Sequence, residues 1–182
     1  MNELAAGPAT VRIGLGGGCH WCTEAVFQAL AGVQRVEQGY IRAQPPADQE
    51  SEGVILHFDP ARIPLAVLIE VHLLTHASTA NHALRHRYRS AIYSFDEVQA
   101  AEAAAALSGL APQFDDQLQT QVLAFRSFRE SPERFRNYYA SNPQRPFCQN
   151  YIAPKLQLLM LRFSTHVHTS DTASQDRAAT SD

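Results

Sequence analysis

Apolar residues alternate with polar ones in several short segments of the chain, a pattern typical of strands with one buried face. The segments predicted as strands are VRIGLG from Val11, the stretch from Val33 to Ile41, GVILHF, SAIYS and LQTQVLAF. Between them, apolar residues recur at helical spacing. The predicted helices are CHWCTEAVFQALAG, PLAVLIEVHLLTH, DEVQAAEAAAALSGL and a segment opened by Ser131 and Pro132.

The helix boundaries carry signals of their own. Gly32 stands where the first helix should stop. Pro64 suits the first position of the second helix, and Ser94 with Glu97 matches a capping box for the third. The elements follow one another as β-α-β-β-α-β with additions. This order predicts an α/β fold of the two-layer, ferredoxin-like sandwich type.

The chain is expected to divide into three regions. Residues 1–9 are predicted to form a loose leader, residues 10–163 one folded domain, and residues 164–182 a disordered polar tail. The tail is predicted because STHVHTSDTASQDRAATSD offers too little apolar surface to offset the entropy lost on ordering.

Composition excludes several classes of protein. The 182 residues hold 15 Lys and Arg against 18 Asp and Glu, a net charge of -3, whereas nucleic-acid binders normally carry a basic excess. Lys155 is the only lysine, which disfavours Schiff-base chemistry. No apolar run approaches the ~20 residues that span a bilayer, and no signal peptide is recognisable. We therefore expect a cytoplasmic protein without nucleic-acid or membrane partners.

The most informative stretch is GGGCHWC, which ends at Cys22 and lies between a predicted strand and a predicted helix. A thiol on the first turn of a helix faces free N–H groups and the positive end of the helix dipole, and both stabilise a thiolate. The glycines let a substrate approach the backbone of Cys19, and Trp21 offers a flat apolar wall. These features favour a reactive Cys19 over a purely structural one.

Cys19 and Cys22 form a C-x-x-C pair, which fits a redox dithiol, half of a zinc site, or a coincidence. A structural zinc site usually has four ligands in two paired groups, and no second C-x-x-C is present. Zinc is therefore the weaker interpretation. Haem attachment is excluded, because Thr23 follows where a histidine is required. With Cys148 the cysteines number three, too few for a secreted disulfide framework.

Glu52 shares strand parity with the apolar residues Val54, Leu56 and Phe58, so its carboxyl is predicted to point toward the same face. Partial desolvation favours the protonated form of a carboxyl and suits it to donate a proton. A solvated Glu52 ahead of the strand fits the sequence equally well.

Tyr88 enters the SAIYS strand from a loop rich in histidine and arginine, and packing alone could account for it. The cationic residues of that loop could bind an anion, but they are expected instead to be solvated and paired with acidic neighbours. They are Arg85, His86, Arg87 and Arg89.

Four blocks of the sequence together resemble the A type of the peptide methionine sulfoxide reductases. Gly18–Cys22 resembles the family's G-C-F-W-[GC], and SEGVILHFDP resembles A-E-x-V-x-V-x-[YF]-D-P. RYRSAIY resembles Q-Y-R-S-A-I-Y, and NPQRPFCQNYIAPKL resembles N-P-x-x-x-Y-C-x-x-x-I-A-P-K. The blocks keep the family's order and cover most of residues 10–162, which implies that residues 10–163 form a reductase-like catalytic domain.

The resemblance implies a role for each of several residues. Cys19 is the nucleophile and Glu52 the catalytic acid, Tyr88 is an active-site tyrosine, Cys148 is a resolving cysteine, and His20 and Trp21 bind substrate.

In the mechanism that this implies, the Cys19 thiolate attacks methionine-S-sulfoxide, free or in a protein, and becomes a sulfenic acid. Cys148, or Cys22 as the local alternative, then forms a disulfide that thioredoxin or a similar dithiol reduces. No metal or organic cofactor is required, and a monomer is expected.

Four departures from the family pattern indicate a divergent member with a remodelled substrate pocket. His20 replaces a phenylalanine of the apolar cage, Ala83 falls where an aspartate is usual, and Cys22 replaces the commoner glycine. The 41–51 connection is short and lacks the family's second active-site tyrosine. If His20 lies in the cage, its protonation at mildly acidic pH should lower activity.

Two alternatives remain open at this point. One is a thiol–disulfide oxidoreductase, or a reductase of a different sulfoxide, on the same scaffold. The other is a non-catalytic module that senses redox state or binds zinc.

Overall fold

The computed structural model describes residues 9–168. The predicted leader up to residue 8 and the predicted tail from residue 169 lie outside the described residues. The strands are β1 (Val11–Gly16), β2 (Val33–Ala43), β3 (Ser51–Phe58), β4 (Ala91–Ser94) and β5 (Gln121–Glu130). The helices are α1 (His20–Gln28), α2 (Leu65–Thr75), α3 (Glu97–Leu110), α4 (Tyr138–Ser141) and α5 (Ala153–Arg162).

The five strands form a closed barrel in the order β1-β3-β2-β5-β4. All neighbouring strands are antiparallel except β4 and β5, which are parallel. The mixed α/β class is therefore confirmed. The ferredoxin-like two-layer sandwich is not, because β5 pairs with both β2 and β4 and closes a sheet that such a sandwich leaves open.

Helices cover the outside of the barrel, and the main hydrophobic core lies between them and the strands. Alternate strand residues point into this core, as the period of two requires. The fully buried members include Ile13, Leu15, Val54 and Leu56 from β1 and β3, with Phe27, Leu30, Leu68 and Ile69 from α1 and its loop and from α2.

The barrel interior is filled by a second, smaller cluster around Ile41 and Tyr93. Glycines make room for these two side chains. A Cβ on Gly14 would lie 2.8 Å from the Cβ of Tyr93, and one on Gly53 would lie 2.7 Å from the Cδ1 of Ile41. Most residues of β1 and β3 are therefore buried, whichever face of the sheet they point to.

Several local predictions need correction. Asp96, not Ser94, caps α3, and its carboxylate accepts a hydrogen bond of 2.7 Å from the Gln99 N–H. Ser94 itself belongs to β4. Pro64 is the N-cap of α2 and not its first helical residue. The segment after Pro132 forms only one 3-10 turn before the short helix α4.

The chain beyond Phe163 remains ordered further than the sequence predicts. Ser164–His166 form a 3-10 turn, Val167 bridges to Leu30, and the Ala31 N–H donates to the His166 carbonyl at 2.6 Å. Residues 164–168 thus contact the folded domain, and the disorder of the tail stays a prediction. No helix among the described residues is both long and apolar enough to cross a bilayer.

Candidate functional site

The glycine-rich turn after β1 delivers Cys19 to the N-terminus of α1, where it is the N-cap residue. Gly17 lets this turn pack closely on α2. A Cβ at Gly17 would lie 2.4 Å from the Cδ2 of His76, and its φ of 156° is one that other residues rarely adopt. The turn is therefore fixed by a ring beneath it.

His72 and His76 form that support, with their rings stacked 4.2 Å apart. His72 Nε2 donates to the Gly16 carbonyl at 2.8 Å, and His76 Nε2 accepts from the Ser90 hydroxyl at 2.8 Å. Burial lowers the pKa of His72 well below its ordinary value and that of His76 to about 4. Both rings are thus neutral at physiological pH.

The Cys19 sulfur accepts a hydrogen bond from the Cys22 thiol, and the Trp21 and Cys22 N–H groups also point toward it. The thiol contact is the main cause that lowers the pKa of Cys19, and it outweighs the opposing effect of burial. The same contact, together with burial, raises the pKa of Cys22. Within the pair, Cys19 is therefore the thiol that ionises more readily, and Cys22 is the one that keeps its proton.

Cys148 lies behind this pair. It is fully buried on the π-helical turn Cys148–Ile152 and packs in one cluster with Cys22 and Ala25, with Cys19 at the edge. All three sulfurs are free thiols. The structure therefore brings Cys19, the predicted nucleophile, together with both predicted resolving cysteines.

Glu52 is buried, with only 5% of its surface exposed, as its strand parity indicated and contrary to the solvated alternative. Its Oε2 accepts the His20 N–H at 3.2 Å, so the carboxylate caps α1. Its Oε1 accepts from Arg87 Nη2 at 3.3 Å and Nε at 3.4 Å. The Glu52 N–H donates to the Arg87 carbonyl at 2.9 Å, which ties the arginine-rich loop to β3.

Tyr88 and Cys19 both face a cavity of about 200 Å³. Its other lining residues are Gly17, Gly18, Cys22, Thr23, Thr75, His76, Ala77, His82 and Lys155. Burial, and then the nearby charge of Glu52, raise the pKa of the Tyr88 phenol. Tyr88 is therefore a neutral hydrogen-bond donor between the carboxylate and the thiolate.

His20 and Trp21 point in different directions. The His20 ring is buried, with Nδ1 donating to the Gly39 carbonyl at 2.9 Å and Nε2 3.7 Å from Glu52 Oε2. Trp21 stacks on Tyr138 at 4.0 Å and meets Phe147 edge-on at 5.6 Å. Neither residue lines the cavity described above, so their predicted substrate-binding roles remain predictions.

Sequence reasoning missed three residues of the site. Arg87 is exposed and paired with an acidic residue, as expected for its loop, but the sequence did not identify that partner as Glu52. Its position beside Tyr88 was the available signal. Tyr40 lies directly opposite Glu52 in the β2–β3 register, and its ring is 5.4 Å from that of His20. It supplies a second phenol near the carboxylate, but only the strand register reveals it.

Lys155 is the third missed residue. Its ammonium donates to the Thr75 carbonyl, and it faces Cys22 and the cavity. Its being the only lysine in the chain was a signal, although composition alone does not locate it. As for metals, residues 9–168 contain no group of three or more His, Cys, Asp or Glu side chains that could hold an ion.

Sequence comparison identifies relatives over nearly the whole described chain. A family model described as peptide methionine sulfoxide reductase matches residues 11–166. Peptide methionine sulfoxide reductase MsrA of Chromobacterium violaceum is 36% identical over 166 residues, which cover 82% of this chain and 94% of that protein. The protein of the same name from Thermus thermophilus is 33% identical over 157 residues, which cover 79% and 89%.

Solved structures share the fold. Mxr1 from Saccharomyces cerevisiae in reduced form has a TM-score of 0.66 at 19% identity, covering 76% of this chain and 89% of that one. Methionine sulfoxide reductase A of Corynebacterium diphtheriae has a TM-score of 0.65 at 22% identity, covering 77% and 78%. Mxr1 in complex with Trx2 has a TM-score of 0.59 at 17% identity, covering 71% and 86%.

Proposed function

Because the chain belongs to the peptide methionine sulfoxide reductase family, it is an oxidoreductase that reduces methionine sulfoxide, and we propose that Cys19 is its nucleophile. One observation carries the assignment of the residue. Cys19 combines a lowered pKa with partial exposure to the cavity, and a buried carboxylate and a phenol lie beside it. A thiolate of this kind is the reactive form of cysteine.

In the first step, the Cys19 sulfur attacks the sulfur of methionine-S-sulfoxide. The sulfoxide oxygen passes to Cys19 as a sulfenic acid, and the substrate sulfur is reduced by two electrons to the thioether. Glu52, protonated from solvent in exchange for the proton that Cys19 lost on becoming the thiolate, donates a proton to that oxygen, so the overall step is thiol plus sulfoxide giving sulfenic acid plus thioether. Tyr88 supports the oxygen with a hydrogen bond. Its raised pKa keeps that donor protonated.

In the second step, a thiol condenses with the sulfenic acid, so that an S–S bond forms, the S–O bond breaks and water leaves. Cys22 is the first resolver in this proposal, because its thiol is already hydrogen-bonded to the Cys19 sulfur. Cys148 packs in the same cluster as Cys22, so its sulfur can attack that of Cys22 by thiol–disulfide exchange. The Cys22–Cys148 disulfide then forms, and the Cys19–Cys22 bond breaks to release the Cys19 thiol. Thioredoxin or a similar dithiol then reduces the disulfide.

The same proposal includes where the protein works. Such dithiol reductants keep thiols reduced in the cytoplasm, and we place the protein there as a monomer.

The proposal is tested with a blocked methionine-S-sulfoxide and either dithiothreitol or thioredoxin as reductant. The wild type should release the thioether, and Cys19→Ser should not. Normal turnover by Cys19→Ser would refute the role of Cys19. Reduction of insulin by the wild type without any sulfoxide turnover would instead favour a thiol–disulfide oxidoreductase. Peptide mapping after one turnover should find the Cys19–Cys22 disulfide before any bond to Cys148.

A further inference from the structure

The cavity beside Cys19 contains one cationic side chain and no carboxylate among its lining residues. The cation is Lys155, on the first turn of α5. One of its three N–H donors goes to the Thr75 carbonyl, so two remain for other partners. None of the ion pairs formed among residues 9–168 involves Lys155.

The other titratable groups near the cavity do not compensate this charge. His76 is neutral, and both its ring nitrogens are hydrogen-bonded within the protein. The Arg85 guanidinium donates its hydrogen bonds to backbone carbonyls, including those of Gly17 and Tyr88. The charge of Glu52 is paired with Arg87. His82 lies exposed at the rim.

No lining residue offers a carboxylate to Lys155, and Cys19, which lines the same cavity, reacts with the sulfoxide. A substrate that brings its own anion would restore the balance. Methionine sulfoxide with a free α-carboxylate carries one a short aliphatic chain away from the reacting sulfur, and the cavity reaches from Cys19 to Lys155.

We infer that Lys155 binds the α-carboxylate of the substrate, so that the enzyme prefers methionine sulfoxide whose own carboxylate is free. This inference rests on the proposed function and names its substrate class. Two sources share this chemistry, namely the free amino acid and a methionine sulfoxide at the C-terminus of a chain. An internal residue of a protein has an amide in place of the carboxylate and gains nothing from the ammonium.

The test compares kcat/KM for three S-sulfoxides. They are free L-methionine sulfoxide, its N-acetyl derivative as a C-terminal mimic, and the N-acetyl methylamide as an internal mimic. The wild type should favour the N-acetyl acid over the methylamide by on the order of tenfold, the effect of one charge-assisted hydrogen bond. Lys155→Met should remove this preference, and Lys155→Arg should keep part of it. If kcat/KM for free methionine sulfoxide also exceeds that for the methylamide, the free amino acid is itself a substrate. If only the N-acetyl acid does so, the source is the chain terminus.

Arg162→Met is the matched control. It removes one positive charge from the other end of α5, where Arg162 pairs with Glu70, and the substrate preference should stay that of the wild type. Equal losses on all three sulfoxides in Lys155→Met would show that Lys155 only anchors α5 to Thr75, and would overturn the inference. Continued Cys19-dependent turnover of the methylamide in that variant would leave the proposed function standing.

Discussion

The thiol of Cys22 donates a hydrogen bond to the sulfur of Cys19. This contact separates two chemically similar groups, since it stabilises the charged form of one and the neutral form of the other. It also holds the two sulfurs together before any oxidation takes place. In the proposed mechanism, the C-x-x-C spacing thus serves both the activation of Cys19 and the resolution of its sulfenic acid.

Cys22→Ala should therefore raise the pKa of Cys19, because it removes the main cause that lowers it. The measurement is the pH dependence of Cys19 alkylation by iodoacetamide, followed on the Cys19 peptide by mass spectrometry. Its midpoint should move to higher pH than in the wild type. Cys148→Ala is the control, since the lowered pKa of Cys19 does not depend on a hydrogen bond from Cys148. An unchanged midpoint in Cys22→Ala would show that the helix N–H groups suffice.

Glu52→Gln should slow the formation of the sulfenic acid by roughly 10²–10⁴-fold, the usual contribution of general acid–base catalysis. The amide can still accept the His20 N–H, so the fold should persist. Single-turnover release of the thioether measures this step without the reductant. Glu37→Gln is the matched control, because Glu37 lies on the adjacent strand β2 and pairs with His57 at 2.6 Å. A comparable slowing in Glu37→Gln would mean that the loss reflects the strands and not the acid.

Sequence reasoning reached the parts of this site that are local. The helix-capping cysteine and the parity of Glu52 follow from spacing along single elements, and both hold in the structure. Tyr40 could not be placed, because its position opposite Glu52 depends on the register of β2 against β3. Lys155 reaches the cavity only through the docking of α5 against the end of α2.

The errors in the fold have the same origin. The barrel closes because β5 pairs with both β2 and β4, and these strands are far apart in the sequence. Local sequence patterns do not predict such long-range pairing. The unforeseen helix α5 did carry a signal, since Pro154 lies at its first turn. Both Ser94 and Asp96 are residue types that cap helices. The Ser94 hydroxyl donates to the Leu123 carbonyl of β5 instead, and Asp96 accepts the Gln99 N–H and caps α3.

Gly17→Ala should disrupt the catalytic turn. The added Cβ would meet the partly buried His76 ring, and overpacking of this kind costs about 1–3 kcal/mol. Because Cys19 is two residues away, we expect turnover to fall on the order of 10–100-fold. Gly109→Ala is the control, since a Cβ there meets nothing within 4 Å in helix α3. It should raise the free energy of unfolding by up to about 1 kcal/mol. Urea titrations and turnover of both variants check this pair, and normal activity in Gly17→Ala would contradict it.

Acid should weaken the fold at the same place. The pKa of His76 is about 4 in the folded protein against about 6.5 in an unfolded chain. Below pH 6.5 the unfolded state therefore binds a proton that the folded state refuses, and stability present above that pH is lost as the pH falls toward 4. Between pH 7 and pH 5 this loss amounts to about 2 kcal/mol for His76. The lowered pKa of His72 adds to it with the same sign.

The free energy of unfolding in urea at pH 7, 6 and 5 measures this dependence. His76→Gln should show a shallower decline than the wild type, whatever its stability at pH 7, because it removes the proton uptake of one buried histidine. His82→Gln, which replaces an exposed histidine, should decline as the wild type does. Since the rings of His72 and His76 support the turn that carries Cys19, their protonation in acid should also destabilise that turn. In the wild type, activity should then fall over the same pH range as stability. If the free energy of unfolding declined equally with pH in the wild type and in His76→Gln, the His76 ring would not be the cause of the acid sensitivity.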